Sequence, residues 1–239
     1  MRIAILLYTC VAAAASLPAP ALDPPPPTGA HRATAVMAGG CFWGVDAVFK
    51  HVKGVTEVVS GYAGGKASTA HYEMVGTGRT GHAESVEVVY DPAQISYAKL
   101  LQIFFAVAHD PTQLNRQGPD EGPQYRSAIF YSSEEQKRVA EAYIQQLTEA
   151  HAFKHKIVTE LAPLEGFFAA EGYHQNYLAH NRDNPYIVYN DLPKLDHLKK
   201  EFPDPAPKTR PTSRPAKGSS PATQPSRTNR RPARATQPK

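Results

Sequence analysis

Hydrophobic residues recur in two rhythms between Thr34 and Pro203, and each change of rhythm marks a new element. Ala35 to Ala38 form a short apolar run entering Gly39-Gly40, as a buried strand ending in a tight turn would. Phe42, Val45, Val48, Phe49 and Val52 then follow at steps of three and four, which puts them on one helix face that stops near Gly54. Val55 to Tyr62 predicts a second strand, and the glycine-rich stretch from Gly61 to His82 a long loop, a feature usually functional or disordered in a domain. Val86, Val88 and Tyr90 alternate with Glu87 and Val89, so Glu84 to Tyr90 predicts a strand that the Asp91-Pro92 turn ends.

Ser96 is placed to cap a helix carrying Leu100, Leu101, Ile103, Phe104 and Val107. A second polar loop, His109 to Gln124, precedes a strand from Tyr125 to Tyr131. Ser132 with Glu135, or Ser133 with Gln136, then opens a helix through Val139, Tyr143 and Leu147. Ile157 to Leu161 predicts another strand, Glu171 to His180 a short helix and Leu195 to Phe202 a last one. Two strands follow each other directly after the first helix, which breaks the strict alternation of parallel βα units. The expected fold is therefore a two-layer α/β (α+β) sandwich on a mixed, largely antiparallel sheet, with the two long loops outside it.

Composition changes the picture only at the ends of the chain. Arg2, the apolar run Ile3 to Ala15 and the small-residue site Ala19-Pro20-Ala21 have the layout of a secretory leader over residues 1–21. A Pro-rich linker then covers 22–33, the domain 34–203 and a basic tail 204–239. From Pro203 onward there are nine prolines and nine Lys or Arg against the single acid Asp204, so a chain of net charge +4 carries −4 over everything before Pro203. Such a tail buries too little apolar area to order itself and reads as a solvated spacer, a polyanion partner being the alternative. The apolar leader is too short to span a bilayer. The expected location is exported, periplasmic or extracellular; lipidation at Cys10 fits less well, since Tyr8 and Thr9 before it are not small.

Removal of the leader leaves Cys41 as the chain's sole cysteine, which excludes an internal disulfide. Cys41 stands at the first turn of a helix, where free backbone N–H groups favour a thiolate and are expected to lower its pKa by about a unit or more. The plainer alternative is a small buried hydrophobe. Phe42 and Trp43, about 100° apart on a helix, do not both follow the sulfur onto one buried stripe, so at least one is expected near its opening. Glu84 ends up either a solvated strand-end acid or, if buried beside aromatics, a proton donor near neutral pH. The second loop offers Asp110, Asn115, Arg116, Gln117, Tyr125 and Arg126 for a polar substrate. No paired metal-ligand spacing stands out; His151 and His155 lack a third partner, and no phosphate loop is present.

The stretches GGCFWGVDAVF, GYAGG, HYEMVGTGRTGHAESVEVVYDP, HDPTQLNRQGPDEGPQYRSAIFY and YHQNYL occur in that order and resemble the A-type peptide methionine sulfoxide reductases over nearly all of Thr34 to Pro203. The resemblance implies reduction of methionine-(S)-sulfoxide, free or in proteins, by a monomer of ferredoxin-like fold with no bound cofactor. It implies Cys41 as nucleophile, Glu84 as the acid that protonates the sulfoxide oxygen, and Tyr72 as a hydrogen-bonding assistant. Phe42 and Trp43 would receive the substrate methyl, Asp110 would hold the substrate backbone, and Tyr186 would be a further site tyrosine. Many members carry a second cysteine near the C-terminus; here Ile187 stands there, so an external thiol, thioredoxin-like or small, is expected to regenerate Cys41. The competing expectations are a Cys-His acyl-transfer hydrolase using His82, His109 or His174, and a module that binds oxidised methionine without catalysis.

Overall fold

The computed structural model describes residues 16–203; residues 1–15, with Cys10 and most of the expected leader, and residues 204–239, the expected tail, lie outside the described residues. Eight strands and six α-helices follow in the order β1 (Ala33–Gly39), α1 (Phe42–Lys50), β2 (Val55–Ala63), α2 (Tyr72–Val75), β3 (Ala83–Tyr90), α3 (Tyr97–Ile103), β4 (Arg116–Gln117), β5 (Asp120–Glu121), β6 (Ser127–Tyr131), α4 (Glu134–Glu149), β7 (Glu160–Pro163), β8 (Phe167–Ala169), α5 (Tyr177–His180) and α6 (Leu192–Glu201). Six strands form one mixed sheet in the order β7-β6-β1-β3-β2-β8. Only β6 and β7 pair in parallel; every other neighbouring pair is antiparallel.

Strand alternation sorts the sheet into two faces. Ala35, Met37, Val58, Tyr62, Val86, Val88 and Ile129 join the buried residues of α1, α3, α4 and α6 in the main core. Val36, Ala38, Ala63, Ala83, Ala128 and Phe130, on the opposite face, form a smaller cluster under Ala162, Leu164 and Phe167. Phe49, Phe104, Leu100 and Leu147 are fully buried, and truncating such side chains costs about 2–5 kcal/mol each.

The helix caps follow local chemistry. Ser96 Oγ accepts from the Lys99 N–H at 3.1 Å. At α4 the pair in use is Ser133 with Gln136: Ser133 Oγ accepts from Gln136 N at 3.1 Å while Gln136 Oε1 accepts from Ser132 N at 2.9 Å.

Departures from the sequence pattern occur where contacts are tertiary. The segment 157–161 reaches the sheet only at Glu160, and the short edge strand β8 carries no alternation long enough to read. The helix expected over 171–180 breaks into a 3₁₀ turn, Gly172–His174, and α5, because Asn176 adopts a left-handed φ of 56°. The last helix starts at Leu192 after a π turn over Ile187–Asp191, with Pro193 in its first turn where no N–H partner is lost. His151, with φ 49°, lies beyond the end of α4, so it and His155 do not share a helix.

Candidate active site

The turn between β1 and α1 is built from glycines because other elements press on it. Gly40 has φ 91°, a left-handed value that favours glycine, and a side chain there would meet Gln117 Cβ at 2.5 Å. Gly44, in the first turn of α1, leaves room for the Asp191 carboxylate, which a Cβ would meet at 2.1 Å. Cys41 is the N-cap residue between them and is 9% exposed. Two segments far along the chain, the β4-β5 hairpin and the turn before α6, thus close over the cysteine.

Glu84 reaches the start of α1 from β3, its Oε2 accepting the Phe42 N–H at 3.1 Å. It is 3% exposed, and burial, reinforced by the nearby Asp120, pushes its pKa up to about 8 against the opposing Phe42 hydrogen bond. Glu84 is therefore a neutral acid at pH 7. For Cys41 the expected depression is reversed. Burial and the carboxylates of Glu84, Asp191 and Asp120 push the thiol well above its ordinary range, outweighing the Trp43 backbone hydrogen bond. The resting thiol keeps its proton.

Aromatic side chains line the same region. Phe42 is buried and Trp43 half-buried, so the residue near the opening is Trp43. Its indole stacks on Tyr177 at 3.7 Å between centroids and 8° between planes, and meets Tyr186 edge-on at 5.9 Å. Trp43 Nε1 donates to His174 Nδ1 at 3.2 Å, which puts the His174 proton on Nε2. The His174 ring lies 4.5 Å from that of Tyr72 and 5.0 Å from Phe42. Glu171 fixes this wall, accepting from Tyr62 OH and from Tyr72 N, each at 2.9 Å.

Of the residues singled out from sequence, Cys41, Phe42, Trp43, Tyr72, Glu84 and Tyr186 converge; Asp110 is tied through its backbone to Gln117, but its carboxylate is engaged elsewhere. Both Asp110 oxygens are used in its own turn: Oδ1 accepts from Thr112 N at 2.9 Å and Thr112 Oγ1 at 2.7 Å, and Oδ2 from Gln113 Nε2 at 3.1 Å. Burial alone would raise its pKa, but these bonds hold it below the usual carboxylate range. The acid that the loop does deliver is Asp120, which accepts a hydrogen bond from Tyr186 OH and whose field reaches Cys41, Glu84, Tyr72 and Tyr125. Arg116 and Arg126 are held in ion pairs with Glu121 and Glu160.

A family model described as peptide methionine sulfoxide reductase matches residues 33–206. The chain belongs to that family. The peptide methionine sulfoxide reductase MsrA 2 of Mesorhizobium japonicum is 58% identical over 170 residues, covering 71% of this chain and 87% of that protein. The MsrA 2 of Synechocystis sp. is 52% identical over 190 residues, covering 79% and 89%. Among solved structures, reduced Mxr1 of Saccharomyces cerevisiae superposes with a TM-score of 0.58 at 35% identity, covering 64% of this chain and 87% of Mxr1. Methionine sulfoxide reductase A of Corynebacterium diphtheriae gives 0.54 at 38% identity, covering 64% and 76%. This chain is accordingly an oxidoreductase acting on methionine sulfoxide.

The geometry leaves little for a reductase to share with a Cys-His hydrolase. His109 Nε2 is bonded to Ser127 Oγ at 2.6 Å and its Nδ1 lies 3.2 Å from Phe104 O; burial, the dominant effect, drops its pKa to about 3. His82 Nε2 contacts Lys66 O at 3.0 Å, and His174 is engaged by Trp43. Among the described residues no histidine is hydrogen-bonded to Cys41, and no cluster of three metal-ligating side chains occurs. The residues around the cysteine that the sequence pattern does not single out are Asp120, Glu171, Tyr177 and Asp191; only Asp120 carries a local sign, an acid in a polar stretch flanked by Gly118 and Gly122.

Proposed function

We propose that the chain reduces the S epimer of methionine sulfoxide, free or within polypeptides, in a cycle that oxidises Cys41 alone. The observation that carries this is a neutral Glu84 carboxyl bonded to the N–H of the residue after Cys41. Phe42 and Trp43 receive the apolar end of the substrate, and the Asp120-Tyr186 pair meets its polar backbone. As Cys41 Sγ attacks the sulfoxide sulfur, Glu84 gives its proton to the oxygen, and Tyr72, which stays protonated, donates a second hydrogen bond. The attack makes a transient bond between Sγ and the substrate sulfur; as the oxygen passes to Sγ, both that bond and the sulfur–oxygen bond of the substrate break, leaving a thioether and a sulfenic acid, and the thiol proton returns to Glu84. The substrate sulfur gains two electrons and Sγ loses two.

No cysteine follows Cys41, and buried Ile187 occupies the segment after Tyr186. An external thiol, thioredoxin-like or small, therefore attacks the sulfenic sulfur and expels water, and a second thiol frees Cys41 from the mixed disulfide. The leader-like N-terminus supports an exported enzyme. The strand order β6-β1-β3-β2, with α1 and α3 in the crossovers, supports the ferredoxin-like description of the sheet. With epimerically pure sulfoxides and excess dithiol, only the S form should disappear; consumption of the R form at a similar rate would reject the assignment. Running thioredoxin and small thiols side by side identifies the donor.

The two acids of the second loop are separable by mutation. Asp120→Asn should lower kcat/KM on a sulfoxide peptide roughly ten- to a hundredfold, the loss of a hydrogen bond to a charged group. Asp110→Asn should instead loosen its turn by about 1 kcal/mol and leave kcat/KM nearly unchanged. Equal kinetic effects would remove the distinction between them.

A further inference from the structure

The segment that precedes the domain in sequence is part of it in space. Leu17 and Leu22 pack against the main core. Gln146 on α4 clamps the backbone between them, its Nε2 donating to Ala19 O and its Oε1 accepting from Ala21 N, both at 2.8 Å. Tyr143 OH donates to Pro18 O at 2.9 Å, and Gln102 Nε2 on α3 donates to Leu17 O at 3.0 Å. Asp23 Oδ2 accepts from Ser96 Oγ at 2.9 Å, and Pro24 to Pro27 then wall a cavity of about 210 Å³ against Tyr90, Tyr97 and Val139. Gln146 thus recognises an extended chain by both a donor and an acceptor, as a neighbouring strand would.

A leader peptidase selects small residues at the first and third positions before the cut, and two stretches fit: Ala19-Pro20-Ala21 and the alanine run Ala12 to Ala15, whose last such triplet is Ala13-Ala14-Ala15. A cut after Ala21 would discard Leu17 and every hydrogen bond made to Leu17, Pro18, Ala19 and Ala21. It would take the acceptors from Gln102 Nε2 and Tyr143 OH and uncover side chains that are 6% and 1% exposed with the segment in place. We propose that the leader is removed at the Ala15–Ser16 bond and that residues 17–27 remain as a structural strap across α3 and α4. Water adds across that amide, Ala15 leaving as a carboxylate and Ser16 keeping the amine. This moves the boundary between leader and domain from Ala21 to Ala15, and makes 22–33 a docked segment instead of a linker.

The proposal rests on the export reading, and one experiment separates their failures. The full chain is produced in a bacterium with an intact secretion pathway, and the exported protein is examined by intact mass and N-terminal sequencing. Ser16 is the expected first residue. Leu22, or any other first residue, overturns the processing site while export stands; a chain retained in the cytoplasm with its leader uncut overturns both. In the exported protein, Gln146→Ala should lower Tm by roughly 3–6 °C with activity on a small sulfoxide unchanged, and an unchanged Tm would refute the strap.

Discussion

Cys41→Ser should abolish turnover of methionine sulfoxide down to the uncatalysed reaction with thiol, while the far-UV circular dichroism and Tm stay close to those of the parent. The reason is electronic as well as acid–base. Sulfur accepts the oxygen and gives up two electrons as a stable sulfenic acid, and a serine oxygen has no equivalent state. The substitution is nearly isosteric at a site 9% exposed, so folding is a poor explanation for the loss. In the unmodified enzyme without reductant, one turnover should yield about one methionine per chain and a dimedone adduct on Cys41. Two methionines per chain, or a disulfide within the mature protein, would contradict the one-cysteine cycle. Substantial activity in the serine variant would dispose of the catalytic reading altogether.

How much of this was legible in the sequence depends on the range of the interactions. The caps at Ser96 and Ser133 are local, and their hydrogen bonds span only a few residues. The apolar face of α1 and the alternation of β3 likewise reflect periodicities within one element. Asp120 is different. It matters because Gln117 packs on Gly40, which sets the β4-β5 hairpin over Cys41, and nothing around position 120 records that contact. Asp110 in the same loop offers the same chemistry on paper, yet Thr112 and Gln113 consume it. The thiol shows the same division: the helix N-terminus near Cys41 is a local feature and would lower its pKa, but burial and three carboxylates from other elements outweigh it. The strap over α3 and α4 was hidden for a further reason, since proline-rich composition looks alike in a free linker and in a docked segment.

Glu84→Gln should lower kcat/KM by roughly 10²–10⁴-fold, the usual contribution of a positioned general acid. Glutamine keeps the shape of the protonated side chain and can still accept the Phe42 N–H, but it has no acidic proton for the departing oxygen. Both enzymes carry the same thiol, so the ratio of their activities isolates the acid. That ratio should be flat below about pH 7 and fall about tenfold per pH unit above about 8, where Glu84 ionises. Stability should move the other way. The folded-state pKa is raised from 4.5, so the folded protein binds the proton more tightly than the unfolded chain does, and wild-type stability declines as pH rises from about 4.5 to about 8. Glu84→Gln removes that decline: its stabilising effect should be near zero at pH 4.5 and reach on the order of 4 kcal/mol by pH 8. Denaturant midpoints for the two proteins across that range test the claim independently of activity. A variant that loses activity but shows no pH-dependent gain in stability would mean that Glu84 is ionised at neutral pH, and the proton for the sulfoxide oxygen would then have to come from Tyr72 or from the thiol itself.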